Sequence, residues 1–355
     1  MDILLTACLN KGLFVNGLQQ NIIFLAELLR KIGHNPIVAI NHDVDLCKDP
    51  PKDILIIEEN EILDYKYDYI LQTGFVISNE TIKDIKNKNP NTKNIHIHYG
   101  NRMLADIEQC KWDTYPIDNF EVDEVWISPH YEVSIPYFKT YYNTEKVFFI
   151  PYIWSPKYID IHERIWLKDG KTCEFQPQEK PNICILEPNL NMTKNCIPSI
   201  FICEELFRFD PNAFNELQVY CSTSVRDKIY FKKLMWNLDI QKNRRVAYPN
   251  RTIVSKIFSH ENPFIVSHQL MNGLNYTYLE ALYFNIPLIH NSKYIKNAGY
   301  YYPEYDTKKG FEQLKFALSH HVDYLESYKK SAQVELYKYS PDNPEVIDSY
   351  KRLLK

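Results

Sequence analysis

Apolar positions along this chain fall into short unbroken runs separated by longer stretches in which they recur every three or four residues. Short runs of that kind read as buried parallel strands, and the longer stretches as helices with one face on a sheet. The pattern predicts strands at Asp2–Cys8, Pro36–Asn41, Tyr69–Gln72, Asn94–Tyr99 and Glu124–Ser128, with a helix at Gln20–Ile32 closed by Gly33. The rhythm lapses over Trp154–Pro181. It resumes with strands at Ile183–Glu187, Gln218–Ser222, Phe264–Ser267 and Leu288–His290, and a last helix at Pro344–Leu354 follows a proline-bearing turn. Strand–helix alternation gives parallel sheets, so the expected class is α/β: two Rossmann-like, doubly wound domains facing a cleft. The aromatic, proline-bearing stretch Ile150–Pro156 marks the boundary. Residues 1–152, with a C-terminal helix at 341–355 packing back, form the first domain, and 153–340 form the second.

The densest local signal is Asn272–Ser292, a glycine-bearing loop, a helix start, one early carboxylate, a proline stop and a new apolar strand. A loop that ends at a helix N-terminus gathers free N–H groups and the positive end of the helix dipole, which suits a phosphate. Glu280 sits too deep to cap that helix but is placed to reach a group beside the phosphates, and ribose hydroxyls are the natural partner. A plain amphipathic helix with Glu280 in solvent is the competing interpretation.

Composition narrows the classes. With 355 residues, 45% hydrophobic and 24% charged, the chain is globular, and a net charge of −4 argues against binding nucleic acid through phosphate neutralisation. No apolar run approaches bilayer length and the N-terminus runs straight into a strand, so a cytoplasmic protein without a signal peptide is expected. The eight cysteines show no C-x-x-C or zinc-type spacing and are expected to be reduced, mostly core residues. Only nine glycines occur; Gly12, Gly17, Gly74, Gly100 and Gly273 all follow predicted strands, at the edge where parallel sheets bind ligands.

These residues resemble the GT-B glycosyltransferases, especially the retaining group, whose second domain carries a segment of the form E-G-F-G-L-P-x-L-E-A-M-A-x-G-x-P-V. Gly273 matches its first glycine, Leu279-Glu280-Ala281-Leu282 matches L-E-A-M, and Pro287-Leu288 matches P-V. The resemblance implies that Glu280 holds the donor ribose. Asn272 stands where the family has its first glutamate and Asn275 where it has a second glycine, so sugar contact would pass through the Asn272 amide. A nearer resemblance, spanning most of the chain, is to an uncharacterised bacterial and viral family of GT-B-like proteins. It rests on Asn16-Gly17-Leu18-Gln19-Gln20-Asn21, Tyr99-Gly100-Asn101, Trp126–Tyr131, Ser267-His268-Gln269, Leu274-Asn275-Tyr276, His290-Asn291-Ser292 and Gly299–Pro303.

The remaining candidates are weighed singly. Lys194 matches the lysine of the family's G-R-x(4–5)-K-G diphosphate loop, whereas the arginine is replaced near Pro188-Asn189; Arg226 is a candidate for the missing charge. His96 and His98 share one side of a strand, with His96 expected to be structural and His98 nearer the ligand edge, where relatives have a sugar-contacting histidine. His130 and His268 also end strands. Asp43 and Asp45 form a D-x-D, which is set aside as solvated loop carboxylates.

Together these features imply a metal-independent, retaining transferase that moves a sugar from a nucleoside-diphosphate donor, UDP or GDP type, to a glycan or other hydroxyl acceptor. No cofactor or metal is expected beyond that donor. Gly273, Leu274, Asn275, Tyr276 and Thr277 with Lys194 are assigned to the diphosphate and Glu280 to the ribose. Gly17 and the Gly100-Asn101 edge are assigned to the first domain's ligand side, and His98, His130 and Asn272 to catalysis. An inverting enzyme would draw its base from His98, His130, Asp106 or Glu108. A nucleotide-sugar epimerase and a catalytically silent sugar-nucleotide binder are the alternatives.

Overall fold

The computed structural model describes residues 1–9, 17–43, 51–112 and 121–355. The chain divides into two units, Met1–Ser155 with Tyr339–Lys355, and Pro156–Lys338. The first is built on parallel strands β1 (Asp2–Ala7), β2 (Asn35–Ile40), β3 (Leu55–Glu58), β4 (Tyr69–Gln72), β5 (Lys93–His98), β6 (Glu124–Ile127) and β7 (Val147–Phe149). They lie in the order β3-β2-β1-β4-β5-β6-β7. Leu4 of β1 pairs with Ile37 on one side and Ile70 on the other, and all three are buried. Burial of β1 and β2 along nearly their whole length fits their run of apolar residues, whereas β5 alternates Ile95 and Ile97 with Asn94, His96 and His98.

The chain winds outward from β1 to β3, then crosses back to the opposite side of β1 with β4. The loop after β4 lies directly over the end of β1. Gly74 donates its N–H to the Thr6 carbonyl at 2.9 Å, and a Cβ on Gly74 would stand 2.6 Å from Ala7 Cα. Only glycine fits that crossing. The terminal helix Pro344–Leu353 belongs to this unit, capped by Asn343, with the Tyr350 hydroxyl donating to the Pro151 carbonyl at 3.0 Å.

The second unit repeats the plan with β8 (Ile183–Ile185), β9 (Leu217–Val219), β10 (Val246–Ala247), β11 (Phe264–Ser267), β12 (Leu288–His290) and β13 (Tyr300–Tyr301). Their order is β10-β9-β8-β11-β12-β13, all parallel, so winding reverses between β8 and β11. The segment where strand rhythm lapses contains the helix Lys157–Lys168. It packs on the helix Val254–Glu261 through Ser255, whose hydroxyl lies 3.0 Å from His162 Nδ1 and 3.2 Å from Trp166 Nε1. The long helix Thr307–Tyr337 is pinned to the sheet by the Tyr328 hydroxyl, which donates to the Ile286 carbonyl at 2.8 Å. Among the described residues, no helix is long and apolar enough to cross a membrane.

Candidate functional site

In a doubly wound sheet, the loops that follow the two strands flanking the winding reversal diverge and leave room for a ligand. In the second unit these are the loops after β8 and β11. They are joined along one side: Lys194 and Gln269 form an isolated antiparallel bridge, and the Leu270 N–H donates to the Thr193 carbonyl at 3.0 Å. Asn189, with a left-handed φ of 53°, folds the first loop back so that its own N–H reaches the Lys194 carbonyl at 3.1 Å. The loop after β12 joins them. Asn291 Oδ1 accepts the Gln269 N–H at 2.9 Å, and the Ser292 hydroxyl donates to the Gly273 carbonyl. A Cβ at Gly273 would lie 2.9 Å from the Tyr294 ring, so this loop packs closely enough to exclude a side chain.

The second loop delivers its chain into the helix Tyr276–Tyr283. Asn275 caps that helix by accepting the Tyr278 N–H at 3.1 Å, while its buried Nδ2 has no hydrogen-bond partner among the described residues. Glu280 follows in the second helical turn, partly exposed and with no hydrogen-bonding or ion-pairing partner for its carboxylate among the described residues. Desolvation pushes its pKa up to about 7. An ionisable group held in apolar surroundings without a partner is a marker of a ligand site.

A second carboxylate, Glu187, lies two residues beyond β8 and is buried. The Ser267 hydroxyl donates to one oxygen and Gln269 Nε2 to the other at 2.6 Å; Gln269 Oε1 in turn accepts from Asn272 Nδ2 at 3.0 Å. Desolvation raises its pKa to about 7, opposed by these hydrogen bonds and by the charge of Lys194. The Lys194 ammonium is half-buried and has no hydrogen-bonding or ion-pairing partner among the described residues. Burial lowers its pKa, the attraction of Glu187 opposes that, and the charge of Arg251 adds to it. The edge therefore presents a partly desolvated cation, a helix N-terminus and an unsatisfied carboxylate in sequence. That set can hold a polyanion joined to a diol.

The other candidates are placed as follows. Asn272 is buried and tied to Gln269, so the amide that stands for the family glutamate is committed to the Glu187 network. Leu274 turns its side chain into the core, which leaves only its main chain for a ligand, and Tyr276 is buried as well. Thr277 stays partly exposed in the first helical turn. His98 is the last residue of β5 and is buried, stacked on His96 at 4.3 Å between ring centres. Its Nε2 and His96 Nδ1 share the Tyr142 hydroxyl at 3.0 and 2.9 Å. A single hydroxyl hydrogen serves one of these nitrogens, so the other donates to the Tyr142 oxygen. Burial keeps both imidazoles well below their usual pKa. His130 is buried against the rings of Tyr131 and Tyr152. His268 bonds the Tyr302 hydroxyl through Nδ1 at 3.0 Å, and burial lowers its pKa to about 4.

Arg226 is ion-paired with the adjacent Asp227 at 3.2 Å, and Asp106 with Arg102 at 2.6 Å. Gly17 opens the first helix, Gly17–Lys31, rather than lying in the loop before it. Asn16, Gly12 and Asp45 lie outside the described residues. Among the described residues, no three His, Cys, Asp or Glu side chains converge as metal ligands. Glu187 and Gln269 join this edge through their hydrogen bonds, and Arg251 through its charge near Lys194; the sequence alone assigns none of the three a role. The signal available for Glu187 was a carboxylate closing an apolar strand; Arg251, on the loop after β10, gave none.

Two doubly wound parallel sheets define a GT-B fold, and the solved structures this chain resembles include glycosyltransferases. A glycosyltransferase from Rickettsia africae is similar over 100% of this chain and 97% of its own, with a TM-score of 0.64 at 15% identity. An alpha-glucosyltransferase bound to UDP and a 13-mer DNA containing an HMU base is similar over 100% and 99%, TM-score 0.61, 12% identity. WaaG, a glycosyltransferase of lipopolysaccharide biosynthesis, is similar over 100% and 98%, TM-score 0.54, 12% identity. At these identities the likeness is one of fold. The chain itself belongs to the family described as a protein of unknown function, DUF2827, whose model matches residues 4–354. No curated protein sequence matches it.

Proposed function

We propose that this protein transfers a glycosyl group from a nucleoside-diphosphate sugar to a hydroxyl acceptor, with the donor seated on the second unit. The observation that carries this reading is Glu280: a carboxylate held near neutral pKa with no partner among the described residues, in the second turn of a helix whose N-terminus closes the loop at the sheet's winding reversal. A ribose diol satisfies that carboxylate while the diphosphate reaches Lys194, the unsatisfied Asn275 Nδ2 and the first helical N–H groups. The UDP held by one similar structure is consistent with a nucleoside-diphosphate donor.

In the transfer, the bond from the anomeric carbon to the β-phosphate oxygen breaks and its electrons go to the diphosphate. The acceptor oxygen bonds that carbon and gives its proton to the departing phosphate, which retains configuration. Lys194 and the helix N-terminus stabilise the charge that develops on the diphosphate, without a divalent cation. Acceptor recognition falls to the first unit.

The test is product analysis after incubation with uridine, guanosine and thymidine diphosphate sugars, with and without hydroxyl acceptors. Free nucleoside diphosphate with glycosylated acceptor or released sugar supports transfer. A new sugar nucleotide identifies an epimerase, and bound but unaltered donor identifies a silent binder.

A further inference from the structure

The helix Ile229–Trp236 in the second unit buries Phe231 and Met235 and turns its other face outward. That outer face carries Ile229, Lys232, Lys233 and Trp236, spaced i, i+3, i+4 and i+7, so they form one continuous strip. Ile229 is 74% exposed, Tyr230 79% and Trp236 65%. The helix has already satisfied its packing through the inner face, so these apolar side chains contribute nothing to the core. The charge around them is lopsided. Between Arg226 and Arg251 there are eight basic residues and two acidic ones, Asp227 and Asp239, in a chain of net charge −4. Asp227 pairs with Arg226 and Lys232, and Asp239 with Arg208 and Lys242. Lys228, Lys233 and Arg244 have no acidic partner among the described residues.

We propose that this strip docks the second unit on an anionic lipid surface. Tryptophan and tyrosine favour the boundary between headgroups and acyl chains, an aliphatic tip inserts beside them, and lysines alongside meet the lipid phosphates. A duplex nucleic acid would use the same lysines but would give Ile229 nothing to bury against, since its outer surface there offers only sugars and phosphates. The apolar and basic groups are interleaved on one strip, which is the arrangement an interface needs.

Cosedimentation of the full chain with phosphatidylcholine vesicles, with and without phosphatidylglycerol, tests this. The protein should pellet with the anionic vesicles and not with the neutral ones, and added salt should weaken the binding. Lys228→Ala with Lys233→Ala should lower the partition coefficient about 25-fold, from roughly 1 kcal/mol per basic residue near such a surface. Ile229→Ser with Trp236→Ser should lower it at least about tenfold through lost apolar burial. Unchanged circular dichroism confirms that each variant is folded. Failure to bind anionic vesicles overturns the proposal, and so does binding that ignores the Ile229 and Trp236 substitutions. Binding to duplex DNA in place of vesicles would assign the patch to nucleic acid instead.

Discussion

The backbones of Lys194 and Gln269 pair across an isolated antiparallel bridge, which fixes the loop after β8 against the loop after β11. Through it, the lysine that faces the proposed diphosphate is held beside the network that seats Asn272. Gln269 ties Glu187 to Asn272 through its side chain, so backbone and side chain of one residue register both halves of the site.

Lys194→Ala should weaken binding of a nucleoside diphosphate much more than binding of the bare nucleoside, because its proposed partner is the phosphate charge. A charged hydrogen bond contributes about 1.5–3 kcal/mol, so the diphosphate should lose about 10- to 150-fold in affinity. Calorimetry on both ligands checks this, and equal losses would mean that Lys194 acts through loop structure.

Glu280 should trade stability for binding. Its folded pKa of about 7 lies above the usual carboxylate value, so the folded state holds this proton more tightly than the unfolded state does. Stability is therefore greatest at low pH with respect to this group, and falls as pH rises from the unfolded value to about 7. Glu280→Gln should remove that loss and stabilise the protein at pH 8 by about 3 kcal/mol, raising its melting temperature by about 8 °C. Binding runs the other way, since ribose hydroxyls donate to the ionised form. Wild-type affinity for a nucleotide sugar should drop as pH falls below about 7, with proton release on binding, and Glu280→Gln should show neither effect. Thermal melts and calorimetry in buffers of different ionisation enthalpy read both. A Glu280→Gln protein no more stable than wild type at pH 8 contradicts the assignment of its pKa.

Gly74→Ala should destabilise the first unit by at least about 2 kcal/mol, because the new methyl meets backbone atoms of Ala7 and Cys8 that have no rotamer to yield. Gly100 follows a strand in the same way, but a Cβ there meets nothing within 4 Å. Gly100→Ala is the control and should change stability by less than about 0.5 kcal/mol. Denaturant unfolding of the two variants separates close approach from ordinary turn geometry. Equal stability of both would remove the reason given for Gly74.

The sequence disclosed most of the framework. Tyr69–Gln72, Phe264–Ser267 and Leu288–His290 coincide with β4, β11 and β12, because a strand buried on both faces must be continuously apolar. The unpredicted strands β3, β7, β10 and β13 are peripheral and short, two residues long in β10 and β13, and too brief to set a pattern against their surroundings. The helix Lys157–Lys168 was hidden for a related reason: much of its surface is exposed, so its apolar periodicity is diluted by Asp160, Glu163 and Arg164. Glu280 can be singled out from sequence because it stands in a motif defined along the chain. Glu187 and Arg251 cannot, because they reach the site from separate loops, and only strand order brings β8, β10 and β11 to one edge. His98 shows the converse limit. Strand alternation gives the side on which an imidazole lies, but not whether a residue such as Tyr142 covers it.

The central claim is that Glu280 holds the ribose of a nucleotide-sugar donor, and a double-mutant cycle by calorimetry tests it most directly. A nucleotide sugar that the wild type binds would be titrated, beside its 2′,3′-dideoxy analogue, into wild-type and Glu280→Ala protein of confirmed fold. The account predicts that Glu280→Ala weakens the ribose form by about 1.5–3 kcal/mol, and that removing the hydroxyls costs the wild type as much and the variant almost nothing. If folded Glu280→Ala binds the donor as tightly as wild type, or both proteins lose equally when the hydroxyls are removed, the ribose does not sit on Glu280 and the account is wrong.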